Sequence, residues 1–113
     1  MKTHDFGNGP VPAHRHSNGG GWVADTARVE NSAYVGPNAL VYGNAWVSGN
    51  AWVYGDAWVY GDTWVSGNAR IYGNARIYGD ALVSGNAWVF GNAWVSGNAR
   101  VYGNTHLKEG GKV

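Results

Sequence analysis

The sequence has no cysteine, so no disulfide can staple it and its redox compartment is left open. Charge is scarce: 8 Lys and Arg stand against 7 Asp and Glu in 113 residues, a formal net charge of +1. There is no basic run and no acidic run. This argues against nonspecific binding to a phosphate backbone, which takes clustered Lys and Arg, and against wholesale acidic mimicry of DNA. No apolar stretch approaches the roughly 20 residues of a membrane-spanning helix, and no apolar core follows Met1, so neither a membrane span nor a signal peptide is read. The expected location is cytoplasmic, and the length suits one domain.

Glycine is abundant, with 19 residues, and it is regularly placed. From Val41 to His106 one hexad recurs eleven times without insertion, of the type Val41-Tyr42-Gly43-Asn44-Ala45-Trp46. Internal repeats of this kind decide the fold before local propensity does. A glycine in every hexad argues against helix, where each costs about 0.8–1 kcal/mol relative to alanine. In a strand alternate side chains point to opposite faces. Ala and Val therefore point one way, and Trp or Arg and Tyr or Ser point the other. The Gly-Asn or Gly-Asp pair bends the chain, since these residues best tolerate positive φ.

Outer residues recur every eighteen positions, as in Ser48, Ser66 and Ser84, or Tyr42, Tyr60 and Tyr78, or Tyr54, Tyr72 and Phe90. Eighteen residues are three hexads, so one coil has three strands. The fold class is all-β: a parallel β-solenoid, triangular in section, with 18 residues per coil and about five coils. Residues 22–107 form the solenoid, 1–21 an N-terminal cap or arm, and 108–113 a charged, flexible tail. Asn50, Asn68, Asn86 and Asn104 are expected to stack as an amide ladder at one bend. Asp62 and Asp80 stack at another. At roughly 4.8 Å per coil the rod is on the order of 20–25 Å long.

The run Val35-Gly36-Pro37-Asn38-Ala39-Leu40 resembles the hexapeptide-repeat proteins, with the aliphatic residue first, glycine second and a small residue fifth. That resemblance implies a left-handed β-helix. In later hexads the glycine stands third. The stretch His14-Arg15-His16-Ser17-Asn18-Gly19-Gly20-Gly21-Trp22-Val23 also looks like small hexapeptide proteins of phages and prophages.

All seven tryptophans fall on outward positions. A serine face carries Arg28, Trp46, Trp64, Leu82 and Arg100, with Ser48, Ser66 and Ser84 beside them. An Arg70 face carries Tyr34, Trp52, Arg70, Trp88 and His106, with Tyr54, Tyr72 and Phe90. An Arg76 face carries Trp22, Leu40, Trp58, Arg76 and Trp94, with Tyr42, Tyr60 and Tyr78. Large exposed apolar surface marks interaction sites, and Trp, Tyr and Arg dominate interface hot spots. The serine face, through Trp46, Trp64, Leu82, Ser48, Ser66 and Ser84, is expected to self-associate. The partner-binding set is Trp52, Arg70, Trp88, Tyr54, Tyr72, Trp58, Arg76 and Trp94.

Enzyme chemistry is a weaker expectation. The hexapeptide-repeat resemblance implies acyl transfer from acyl-CoA, which needs a general-base histidine beside a groove and a projecting loop. The hexads from 41 to 106 have no such loop, and His106 is their only histidine. His4, His14 and His16 raise a metal site, but gamma-type carbonic anhydrases hold metal with histidines on the coils. No catalytic residue, metal or cofactor is therefore assigned. The expected function is a non-catalytic interaction module bound to a host protein. Its most concrete form is a counter-defence inhibitor, such as an anti-CRISPR acting on a nuclease or ribonucleoprotein complex. The alternatives are an acyltransferase and a structural, filament-forming or virion scaffold protein. Regular threonine arrays of the kind that bind ice are absent from the outer positions.

Overall fold

Alternation within the hexad sorts the side chains. In the computed structural model, which describes residues 2–7 and 9–112, the backbone alone is described for 109–112. Two strands precede the coils, β1 (Thr3–Asp5) and β2 (Pro10–Arg15). The first coil holds β3 (Trp22–Ala24), β4 (Arg28–Val29) and β5 (Tyr34–Val35). The second holds β6 (Leu40–Val41), β7 (Trp46–Val47) and β8 (Trp52–Val53), and the third β9 (Trp58–Val59), β10 (Trp64–Val65) and β11 (Arg70–Ile71). The fourth holds β12 (Arg76–Ile77), β13 (Leu82–Val83) and the start of β14 (Trp88–Val95). The fifth holds the rest of β14, β15 (Arg100–Val101) and β16 (His106–Lys112).

Every coil strand pairs in parallel with the strand eighteen residues away, and from β3 to β15 the register is constant: Trp46 with Trp64, Trp64 with Leu82, Arg70 with Trp52 and Trp88, Arg76 with Trp58 and Trp94. Three flat faces result. Val23, Val35, Val41 and their successors to Val95 line the axis at 0% exposure, with alanines between them. Burying each valine or isoleucine contributes roughly 1.5–3 kcal/mol. Thr63 occupies one alanine position, and its Oγ1 donates to the Tyr60 carbonyl at 2.7 Å, so the buried hydroxyl is satisfied.

The bend belongs to glycine alone. The hexad glycines from Gly43 to Gly103 take φ between +62° and +74°, and no other described residue type has positive φ. Asn and Asp follow the bend without adopting its conformation. Gly61 shows the second reason for glycine: a Cβ there would lie 2.9 Å from the Gly79 nitrogen of the next coil. Of the amide ladder expected at Asn50, Asn68, Asn86 and Asn104, only Asn68 and Asn86 are hydrogen bonded, at 3.4 Å. Asn74 bonds Asn92 at the same distance, and Asn44 donates to Asp62 at 3.3 Å. At the coil spacing an amide barely reaches its neighbour, so backbone bonds such as Asn50 N–H to the Gly67 carbonyl at 2.9 Å carry the stacking.

The first coil lacks the Gly-Asn bend, and side chains substitute for it. Thr26 and Ser32 hydroxyls donate to the Gly43 and Gly49 carbonyls, and Glu30 Oε1 accepts the Gly49 N–H at 2.8 Å. Before it, β2 adds antiparallel to β3, and β1 adds antiparallel to β2. Residues 18–21 run along β5, exchanging Val35 N–H to the Asn18 carbonyl and Gly21 N–H to the Val35 carbonyl, both at 3.0 Å. The two extra strands extend the stack beyond five coils, and the molecule measures 39 × 27 × 20 Å. At the other end the chain differs from a free tail: β16 continues to Lys112 alongside β14, with register shifts, because no Gly-Asn bend turns it at the usual place.

Paired substitutions separate the two demands on glycine. Gly103→Ala meets nothing within 4 Å, so it should cost only the left-handed backbone, roughly 1–2 kcal/mol. Gly61→Ala adds a clash with backbone and should cost clearly more. Urea unfolding midpoints of the two variants check this, and equal losses would remove the close-contact argument.

Candidate functional site: the aromatic and arginine faces

The short strands and tight bends place each outer side chain directly over its counterpart one coil away. Tyr42 and Tyr60 stack with ring centroids 4.8 Å apart and planes 3° apart, and Tyr60 and Tyr78 at 5.2 Å and 7°. On the adjoining face Tyr54, Tyr72 and Phe90 stack at 4.9 and 5.0 Å. The phenol faces are thus spent on one another. Burial pushes the Tyr42 hydroxyl up to about 12, helped by neighbouring Tyr60 and opposed by Arg76. Tyr54 and Tyr60 are raised for the same reasons, burial first, then Tyr72 or Tyr78, with Arg70 or Arg76 opposing.

Two arginines interrupt the indole columns. Arg70 Cζ lies 5.1 Å from the Trp52 ring centroid and 5.6 Å from that of Trp88. Arg76 Cζ lies 4.3 Å from Trp58 and 5.7 Å from Trp94. Each guanidinium has an indole above and below it, a contact worth roughly 0.5–1 kcal/mol at an exposed site. Arg70 and Arg76 stand on consecutive strands, β11 and β12, either side of one bend. The eight residues of the partner-binding set therefore lie on the two faces that flank this bend.

The serine face is built differently. Trp46 and Trp64 meet edge to face at 5.1 Å and 62°, with Arg28 Cζ 5.8 Å from the Trp46 centroid. Trp64 is 52% exposed, and with Trp46, Ser48 and Ser66 it lines a shallow cleft of about 200 Å3. Leu82 and Ser84 continue the face, with Leu82 half-buried.

The histidines do not converge. His4 stacks on Trp22 at 4.8 Å, His14 Nδ1 lies 2.7 Å from Asp25 Oδ1, and the buried His16 donates through Nε2 to the Ala33 carbonyl at 2.7 Å. His106 stacks on Trp88 at 4.7 Å and is exposed. No cluster of three metal-ligating side chains occurs among the described residues. Sequence reasoning missed that the arm prolongs the outer columns: His4 covers Trp22, and Phe6 stacks on Tyr42 at 4.7 Å. The available signal was their spacing, since His4 and Phe6 stand two apart as Trp and Tyr do in the hexads.

The phenol ladder gives a pH signature. Because Tyr42 holds its proton more tightly folded than unfolded, it stabilises the fold fully below about pH 10, and that contribution is lost as pH rises towards about 12. Absorbance titration at the phenolate band should show a late-ionising tyrosine that Tyr42→Phe removes.

Comparison with known proteins agrees with the coil pattern. A family model described as the YdcK beta solenoid repeat matches residues 45–61, 69–83, 75–91, 81–97 and 93–109, together about half of the chain. Each match begins on the alanine that opens an inward pair, Ala45, Ala69, Ala75, Ala81 or Ala93. No curated protein and no solved structure matches. With its repeats in that register over that span, the chain belongs to the YdcK beta solenoid repeat family.

Proposed function

We propose that the protein is a non-catalytic interaction module. Its serine face joins copies of the chain, and the edge between its other two faces grips a partner protein. The observation that carries this reading is the exposure of Trp46, Trp52, Trp64 and Trp94, all more than a third exposed on a rigid rod. Indoles held this way by ladders lose little side-chain freedom on binding, which favours their use as anchors. From 41 to 106 the strands are joined by tight bends, so the faces are surfaces rather than clefts built around a reacting group.

The counter-defence version, with a host nuclease or ribonucleoprotein complex as partner, rests on the phage-like N-terminal run and the hexapeptide-repeat resemblance. Acyl transfer from acyl-CoA is less well supported, because His106 is stacked on Trp88 at the last coil. An axial filament is less well supported, because in the arm β2 covers the edge of β3 and residues 18–21 that of β5.

Sedimentation of the purified chain should give a dimer or trimer, and Trp46→Ser with Trp64→Ser should give a monomer of unchanged β-sheet spectrum. Incubation with acetyl-CoA and an amine should yield no acetylated product. A monomeric wild-type chain that turns over acetyl-CoA would remove the proposal.

A further inference from the structure

Among the described residues neither Arg70 nor Arg76 has a carboxylate partner. The one histidine–carboxylate contact among those residues, His14 with Asp25, is far from this edge in the sequence, and no hydrogen bond among them involves either guanidinium. Each nonetheless sits between two indoles, which restrain it and leave its N–H groups without a hydrogen-bond partner among the described residues. A guanidinium carries five donors in a fork that matches a carboxylate bidentately. The Tyr54 and Tyr72 hydroxyls stand beside Arg70 on the same face. A phenol is protonated at neutral pH, so the Tyr54 hydroxyl is a donor there.

The indoles decide which anion fits. A nucleic acid would add its bases by stacking on free aromatic faces. Here the phenols stack on one another, and a guanidinium lies over one face of each of Trp52, Trp58, Trp88 and Trp94. What remains towards solvent is apolar indole edge around two unpaired forks. Two cations are also too few for a polyphosphate, whose binding scales with the number of phosphates neutralised. Apolar side chains interspersed with carboxylates match both parts.

We infer that the edge between the Arg70 and Arg76 faces binds a protein segment that alternates acidic and apolar residues, its carboxylates received by Arg70 and Arg76 and its apolar side chains by Trp52 and Trp94. This rests on the interaction-module reading and names the chemistry of its partner. The guanidiniums are preorganised, so the carboxylates meet donors that need no reordering.

The test uses the full chain and a blocked synthetic peptide alternating Glu and Leu, followed by calorimetry. Its counterparts are a Gln–Leu peptide, poly-L-glutamate, inorganic polyphosphate and single-stranded oligothymidylate. The Glu–Leu peptide should bind best. Arg70→Gln with Arg76→Gln should weaken it by on the order of tenfold or more. Arg70→Lys with Arg76→Lys should also weaken it, since the charge survives but the planar fork does not. Arg100→Gln, on the serine face, should leave it unchanged, and circular dichroism melting confirms that each variant is folded. Equal or tighter binding of oligothymidylate or polyphosphate overturns the inference, as does a Gln pair that binds as the wild type does. If the peptide fails while sedimentation still shows an oligomer lost in the Trp46 and Trp64 variants, the acidic partner alone is wrong. If both fail, the module reading falls too.

Discussion

Close approach of backbone at the bends governs this molecule. Each coil lies on the next at the spacing of hydrogen-bonded strands, and at the corners the chain must turn within that spacing. From the second coil on glycine meets both conditions, as Gly61 above Gly79 shows. Once the corner repeats, the strands between corners have no freedom of register, and the inward Ala and Val are carried to the same radius in every coil. The core is one valine wide on each side. It cannot be enlarged without opening the triangle, so stability comes from coil-on-coil stacking.

The same constraint dictates the exterior. Side chains one coil apart stand closer than large groups can ignore, so phenols stack, indoles tilt against one another and arginines slide between indoles. The outer ladders thus serve the fold first. They become an interaction surface because stacking consumes ring faces and leaves indole edges and guanidinium forks outward, in rows whose order is set by the chain. A partner meets a fixed pattern of apolar and cationic groups, and the family assignment describes the repeat that displays it rather than what it grips.

Much of this was legible in the chain. The eighteen-residue recurrence of Ser48, Ser66 and Ser84 foretold which residues share a face, and the pairing of Trp46 with Trp64 follows it. The location of Arg70 between Trp52 and Trp88 was likewise readable, because a column needs only a period. Where periodicity ended, legibility ended. The arm's route over β3 and β5 depends on unpaired edges, not on any repeat in residues 1–21. The continuation of β16 beside β14 depends on the lack of a turn, which composition read as looseness. Asn stacking was overestimated because a period places amides in line without saying whether they reach. Chemistry of the bound partner has no period at all, and it had to come from which groups the ladders leave unspent.

The two ends of the rod are not alike. At the first coil the arm binds two sheet edges, buries His16 against the Ala33 carbonyl and lays His4 and Phe6 over Trp22 and Tyr42. At the last, Gly97 and Gly103 face open space, and Tyr102 is 67% exposed. A stack held by nearest neighbours peels from its least anchored layer. Among the described residues the coil that holds Arg100 and Tyr102 is thus less anchored than the first coil, which the arm holds along two strand edges.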